Sequence, residues 1–193
     1  MKKLDPTDLW SLEKYAEERA AFRAKVLAHK QPRKLHIGPN MTLLFEDQLT
    51  VQYQVQEMLR IERLFEKPAI QDELDAYNPL IPDGSNWKAT CLIEYEDAAE
   101  RAQSLRALRN IERQVWAQAG SEPRILAIAD EDLDRSDEEK TSAVHFLRFE
   151  LPRAAVAALK GGAGLSFGVD HPAYTHSVNA SEATRASLLA DLL

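Results

Sequence analysis

A chain of 193 residues, 45% apolar and 28% charged, has enough apolar material for one domain with its own core. Its 31 acids outnumber 24 Lys plus Arg, a net charge of -7 that argues against a nucleic-acid binder, because phosphate neutralisation needs a basic excess. A single cysteine excludes an internal disulfide framework, and no apolar run nears the ~20 residues that cross a bilayer, so a cytoplasmic protein is expected.

Met1 to Leu12 carries two lysines, then Asp5, Pro6 and Asp8, without the apolar stretch of a signal peptide. Asp5-Pro6-Thr7 reads instead as a helix start, a capping side chain beside a proline. Leu9, Leu12, Ala16, Phe22, Val26 and Leu27 then recur at helical spacing until Pro32. From Arg19 to Phe45 there is no acid, whereas Arg19, Arg23, Lys25, Lys30, Arg33 and Lys34 are basic, which suits a helix C-terminal end.

Leu35 to Ile37, Gly38-Pro39-Asn40 and Met41 to Phe45 read as a small hairpin. A second helix is expected from Gln48 to Glu66, with Val51, Val55, Met58, Leu59 and Phe65 as its buried stripe and Pro68 as its stop. A short helix over Ile70 to Ala76 leads into Tyr77-Asn78-Pro79-Leu80-Ile81-Pro82-Asp83-Gly84, a proline-punctuated loop apolar enough to pack on something.

The second half reads as a strand over Ala89 to Tyr95, a helix over Ala98 to Leu108, and strands over Gln114 to Ala119 and Arg124 to Ala129. An acidic loop, Asp130 to Lys140, precedes a strand over Ala143 to Glu150, in which Val144, Phe146 and Leu151 alternate with polar positions around Leu147 and Phe149. Pro152 opens a helix to Lys160, Gly161-Gly162 stops it, and Leu165 to Val169 is a strand. His171-Pro172 turns the chain into a segment over Tyr174 to Val178, and Ser181 caps a last helix to Leu192. Few crossovers separate the strands, so the expected fold is α+β, with long N-terminal helices followed by a mainly antiparallel sheet that has helices packed on one side. It forms one domain over 1–193, divisible into a helical part with the hairpin, 1–76, and a mixed part, 77–193.

The segments LLFEDQLTVQYQVQEMLRIER (43–63), QDELDAYNPLIP (71–82), WKATCLIEY (87–95), SAVHFLRFEL (142–151) and GVDHPAY (168–174) resemble, in order and across the chain, domain-of-unknown-function family 3501. The resemblance implies a stand-alone bacterial or archaeal protein with no established activity. Genes of this kind sit near rubrerythrin-like and iron–sulfur proteins, so it also implies a setting in redox or oxidative-stress metabolism.

Chemistry-bearing residues are few. The run from Asp130 to Asp134 is no EF-hand: Arg135 stands where that loop needs glycine and Thr141 where it needs a bidentate glutamate. Gly161-Gly162-Ala163-Gly164 leaves a helix and enters a strand, the reverse of a phosphate-cradling loop. Cys91, mid-strand among apolar neighbours, reads as a small core hydrophobe. Glu57 lies between the apolar positions Val55 and Met58, where a carboxylate needs a partner. An ion pair such as Glu57–Arg60 outweighs a ligand role, but Glu57, Glu62 and His171, with His145 as an addition, are the candidate iron or zinc ligands. His171 follows Asp170 at a rigid corner near Tyr174. Tyr77 and Asn78 either line a ligand cleft or satisfy their own loop.

Three expectations follow. The first is an accessory or binding protein in redox metabolism, with a protein partner or as a homo-oligomer joined through its long helices. The second is a metal-dependent enzyme or metal-handling protein at Glu57, Glu62 and His171. The third is a small-anion sensor built on Arg23, Lys30, Arg33 and Lys34.

Overall fold

The structure is a computed structural model that describes residues 2–131, 135 and 139–193. The interior of the acidic run, residues 132–134 and 136–138, lies outside them, so the loop expected there is not described.

Helix ends follow side-chain chemistry. Asp5 caps only a 3-10 turn, Pro6–Asp8, whose amides it satisfies in a capping box with Asp8. The first helix, α1 (Leu12–Lys30), starts afresh where the Ser11 hydroxyl accepts from the Lys14 amide, so the helix expected from Asp5 is broken in two. α1 buries Tyr15, Phe22 and Val26, while Ala16 and Leu27 are exposed. Trp10 closes this cluster edge-on to Phe22, with ring centroids 5.0 Å apart.

Asp47 and Thr50 form the capping box of α2 (Gln48–Glu62), which buries Val51, Val55 and Leu59. Arg63 turns left-handed at φ 56° and the Leu64 amide bonds back to Leu59 O at 2.9 Å, so α2 stops before Glu66. Phe65, expected in the buried stripe, is 73% exposed. Pro68 does not end α2 but opens α3 (Lys67–Tyr77), where its missing N–H costs nothing. Leu74 of α3 joins the α2 stripe, Leu4 and Ile81 in a core of their own.

The hairpin β1 (Lys34–Ile37) and β2 (Met41–Glu46) turns at Gly38, φ 69°, where an added Cβ would lie 2.6 Å from Tyr174 Oη. The remaining elements are β3 (Asn86–Ile93), α4 (Ala98–Ala107), β4 (Val115–Ala119), β5 (Ile125–Leu126), β6 (Ile128–Ala129), β7 (Val144–Glu150), α5 (Arg153–Lys160), β8 (Leu165–His171), β9 (Tyr174–Asn179) and α6 (Glu182–Leu189). The strands make two antiparallel sheets, β1-β2-β3-β7-β6 and β5-β4-β8-β9. The one strand expected over Arg124 to Ala129 is instead two short ones, β5 paired to β4 and β6 paired to β7, so the chain steps from one sheet to the other at Ala127.

The sheets stack face to face. Phe45, Trp87 and Phe149 of the first surround Phe167 of the second at centroid distances of 5.1, 5.9 and 5.9 Å. The inward residues of β7 are His145, Leu147 and Phe149; Val144 and Phe146 point the other way, opposite to the pattern read from the sequence. α2 and α3 cover part of the outward face of the first sheet, where the Thr50 hydroxyl and the Gln54 amide donate to Glu46 at 2.6 and 3.0 Å. Among the described residues, no helix is long and apolar enough to cross a membrane.

Candidate functional site

Where the helical layer meets the outward face of the first sheet, a cavity of about 350 Å³ opens. Tyr77, Pro79 and Leu80, from the end of α3 and the turn after it, form one wall. Lys88 of β3, Phe146 and Arg148 of β7, and Glu131 form the other. The apolar loop expected to pack does so: Ile81 is fully buried, which holds the preceding turn over the sheet.

Strand alternation puts Lys88 outward, opposite Glu46 on one side and Arg148 on the other. Neither neighbour's chemistry serves it. Glu46 is buried and accepts from Thr50, Gln54 and Thr90. Arg148 grips Glu131 with two nitrogens at 2.6 and 2.7 Å and reaches Glu150 with the third. The half-buried Lys88 amine makes no hydrogen bond or ion pair with a described residue. Burial lowers its pKa from the ordinary lysine value, the Arg148 cation pushes the same way, and Glu131 opposes them. Burial likewise raises the Tyr77 hydroxyl, with Glu73 and Glu62 adding to it. The site therefore combines an apolar pocket, a phenol and one cation without a hydrogen-bonded or ion-paired partner among the described residues.

Of the two loop residues singled out in the sequence, Tyr77 lines this cavity and Asn78 does not. The Asn78 amide clasps the Leu4 backbone, accepting from its N–H and donating to its carbonyl, both at 2.9 Å. Arg60 is exposed and donates to Glu57 at 3.2 Å. Glu57 also receives Arg19 Nε at 2.7 Å and the Tyr15 hydroxyl at 2.6 Å. Arg19 first, then Tyr15 and Arg60, against opposing burial, hold its pKa down at about 2. Because that value lies below the ordinary 4.5, the ion cluster contributes stability above pH 4.5 that is lost as pH falls toward 2. The Glu57→Gln variant should therefore show a flatter acid limb in pH-dependent urea unfolding, with its largest deficit relative to the parent at neutral pH.

Glu62 is exposed, and His171 belongs to another part of the molecule. The His171 Nδ1 accepts from the Ala173 amide, which leaves the proton on Nε2 to donate to Arg109 O, each at 3.1 Å. Both ring nitrogens are thus committed to backbone, and Glu57 to Arg19, Tyr15 and Arg60, so Glu57, Glu62 and His171 do not converge. Among the described residues, no group of three or more His, Cys, Asp or Glu could hold a metal ion.

His145 enters a different network, largely interior. Its Nδ1 meets Asp130 at 2.6 Å and its Nε2 meets the Thr141 hydroxyl at 2.8 Å, which in turn donates to Glu112 at 3.2 Å. The order of groups is that of a charge relay, but Thr141 is 1% exposed and His145 fully buried, so the network ties β7 to the turn before β4. Cys91 is fully buried, and burial, with Asp130 and Glu112 adding to it, pushes its thiol up to about 12.

Of the basic stretch, Arg33 is taken up by partners inside the fold and Lys30 is half-buried at the end of α1. Arg33 is 2% exposed and bonded to backbone carbonyls and Asp191, whereas Arg23 and Lys34 are exposed on α1 and β1. Sequence reasoning missed Lys88, Glu131, Phe146 and Arg148. The available signal was the outward alternation of Lys88 in one strand and of Phe146 and Arg148 in another, and only strand pairing brings those residues together.

A family model described as "Protein of unknown function (DUF3501)" matches residues 3–192. A crystal structure of a novel protein of unknown function from Burkholderia pseudomallei K96243 is 50% identical and covers 100% of each chain, with a TM-score of 0.94. No curated protein matches the chain.

Proposed function

A chain matched over nearly its whole length belongs to the DUF3501 family, and from that premise we propose that it is a binding protein whose helix–sheet groove takes a small amphipathic ligand with an anionic head. The observation that carries the reading is Lys88, a half-buried cation that lines an apolar cavity without a partner among the described residues. Such a cation is costly to keep unless something compensates it, and a carboxylate with an apolar tail would do so while filling the space against Tyr77, Leu80 and Phe146. Arg148 cannot take the head group without releasing Glu131 and Glu150. An accessory role in redox or oxidative-stress metabolism, which the family resemblance implies, would be the setting for that binding.

Titration calorimetry with octanoate tests the proposal. The parent protein should bind it, and Lys88→Met, which keeps the volume but removes the charge, should weaken binding by about tenfold or more, the ~1.4 kcal/mol scale of one lost charge-assisted hydrogen bond. Binding that is absent in the parent, or unchanged in Lys88→Met, would sink it.

A further inference from the structure

We infer that Lys88 also acts as a nucleophile, forming an imine with an apolar aldehyde or ketone held in the groove; this inference rests on the groove-binding reading. An imine-forming lysine needs an amine free of hydrogen-bonded ion pairs, an apolar pocket the size of a small organic molecule, and a nearby positive charge that disfavours a second cation. Among the described residues, Lys88 has all of these. Its cross-strand neighbour Glu46 is consumed by Thr50, Gln54 and Thr90. The cavity of about 350 Å³ is walled by Tyr77, Pro79, Leu80 and Phe146. Arg148, its other cross-strand neighbour, supplies the charge. The lowered amine pKa, caused first by burial and then by Arg148 with Lys3 adding and Glu131 and Asp83 opposing, acts in the same direction by enlarging the neutral fraction.

In the reaction, the lone pair of neutral Lys88 Nζ adds to the carbonyl carbon and the C=O π pair moves to oxygen. That oxygen takes up protons and leaves as water, while Nζ gives up its two hydrogens and the C=N double bond forms. The balance is amine plus carbonyl giving imine plus water, with no oxidant or reductant. Protonated, the same side chain holds a carboxylate; neutral, it captures a carbonyl.

The test is incubation of the whole protein with hexanal and sodium cyanoborohydride at neutral pH, which reduces any imine to a stable secondary amine, followed by peptide mapping by mass spectrometry. Alkylation of Lys88 should exceed that of the exposed Lys25 and Lys34, because the cavity holds the apolar aldehyde against its amine. Lys88→Arg should lose that adduct and leave the other lysines reacting as before. Labelling of Lys88 no faster than Lys25 and Lys34, with octanoate still bound, overturns the imine and leaves the binding reading standing. Absence of both labelling and octanoate binding overturns the two together.

Discussion

Replacing Arg33 with alanine is expected to cost about 3–5 kcal/mol of folding stability, the scale for breaking a buried ion pair by removing one partner. Its side chain is 2% exposed and holds the end of β2 against α6. Nε donates to Phe45 O at 3.1 Å and Nη2 to Glu46 O at 3.0 Å, while Nη1 reaches Ser187 O at 3.3 Å and the Ser187 hydroxyl at 3.2 Å. Nη2 also meets Asp191 at 2.6 Å. Truncation leaves those carbonyls and a buried carboxylate unpaired. Burial raises the Asp191 pKa above the ordinary 3.8, and the pull of Arg33 only partly offsets it. A raised carboxyl favours the folded state most when protonated, so this group costs nothing below 3.8 and costs progressively more as pH rises through its folded value. Arg33→Ala removes the offset, so its deficit relative to the parent should be largest at neutral pH and shrink toward pH 3. Urea midpoints measured across that range decide it. A deficit that is constant with pH would mean that Asp191 is not the group left stranded. Arg33→Lys should recover little, because one ammonium cannot reproduce the fork that serves β2 and α6 at once.

Gly168→Ala should cost about 3 kcal/mol, the upper end for overpacking. A Cβ there would stand 2.3 Å from Trp116 Cζ2, 2.6 Å from Cε2 and 2.9 Å from the His176 carbonyl oxygen. The indole has little room to yield: Trp116 is 3% exposed, and the Arg124 guanidinium lies over its ring at 3.9 Å. Arg124 is itself anchored by Asp170. Denaturant unfolding of Gly168→Ala alone and combined with Trp116→Leu isolates the cause. The double variant should be more stable than the sum of the two single costs implies, because the leucine vacates the space the methyl needs. Additive costs would place the strain on the backbone carbonyl instead.

The helices were legible in the sequence because their signals are local. Ser181 caps α6 and Gly161-Gly162 ends α5 as read, whereas Asp5, read as the cap of the first helix, caps only a 3-10 turn, and Ser11 and Asp47 cap α1 and α2. The misplaced ends have equally local causes that composition hides. Arg63 adopts a left-handed turn that a glycine would have announced, and Pro68 serves as readily at the first turn of α3 as it would at a stop. The inverted face of β7 is a different failure. Its strand alternates Val144, Phe146 and Arg148 against His145, Leu147 and Phe149, and apolar residues occur on both faces because one packs in the sandwich and the other lines the groove.

The α+β class, the antiparallel hairpin, the order of most elements and membership of the DUF3501 family were all determined by the sequence itself, since they rest on local periodicity, capping and ordered motif matches. Tertiary structure alone decided which charges are spent inside the fold and which line a cavity. Arg33, basic in the sequence like its exposed neighbours, is spent inside the fold, whereas Lys88, unremarkable in its strand, has no partner among the described residues at a cavity wall. The physical reason is that a charge's role depends on burial and on the groups opposite it, and here both are set by strand pairing and helix docking between residues far apart in the chain.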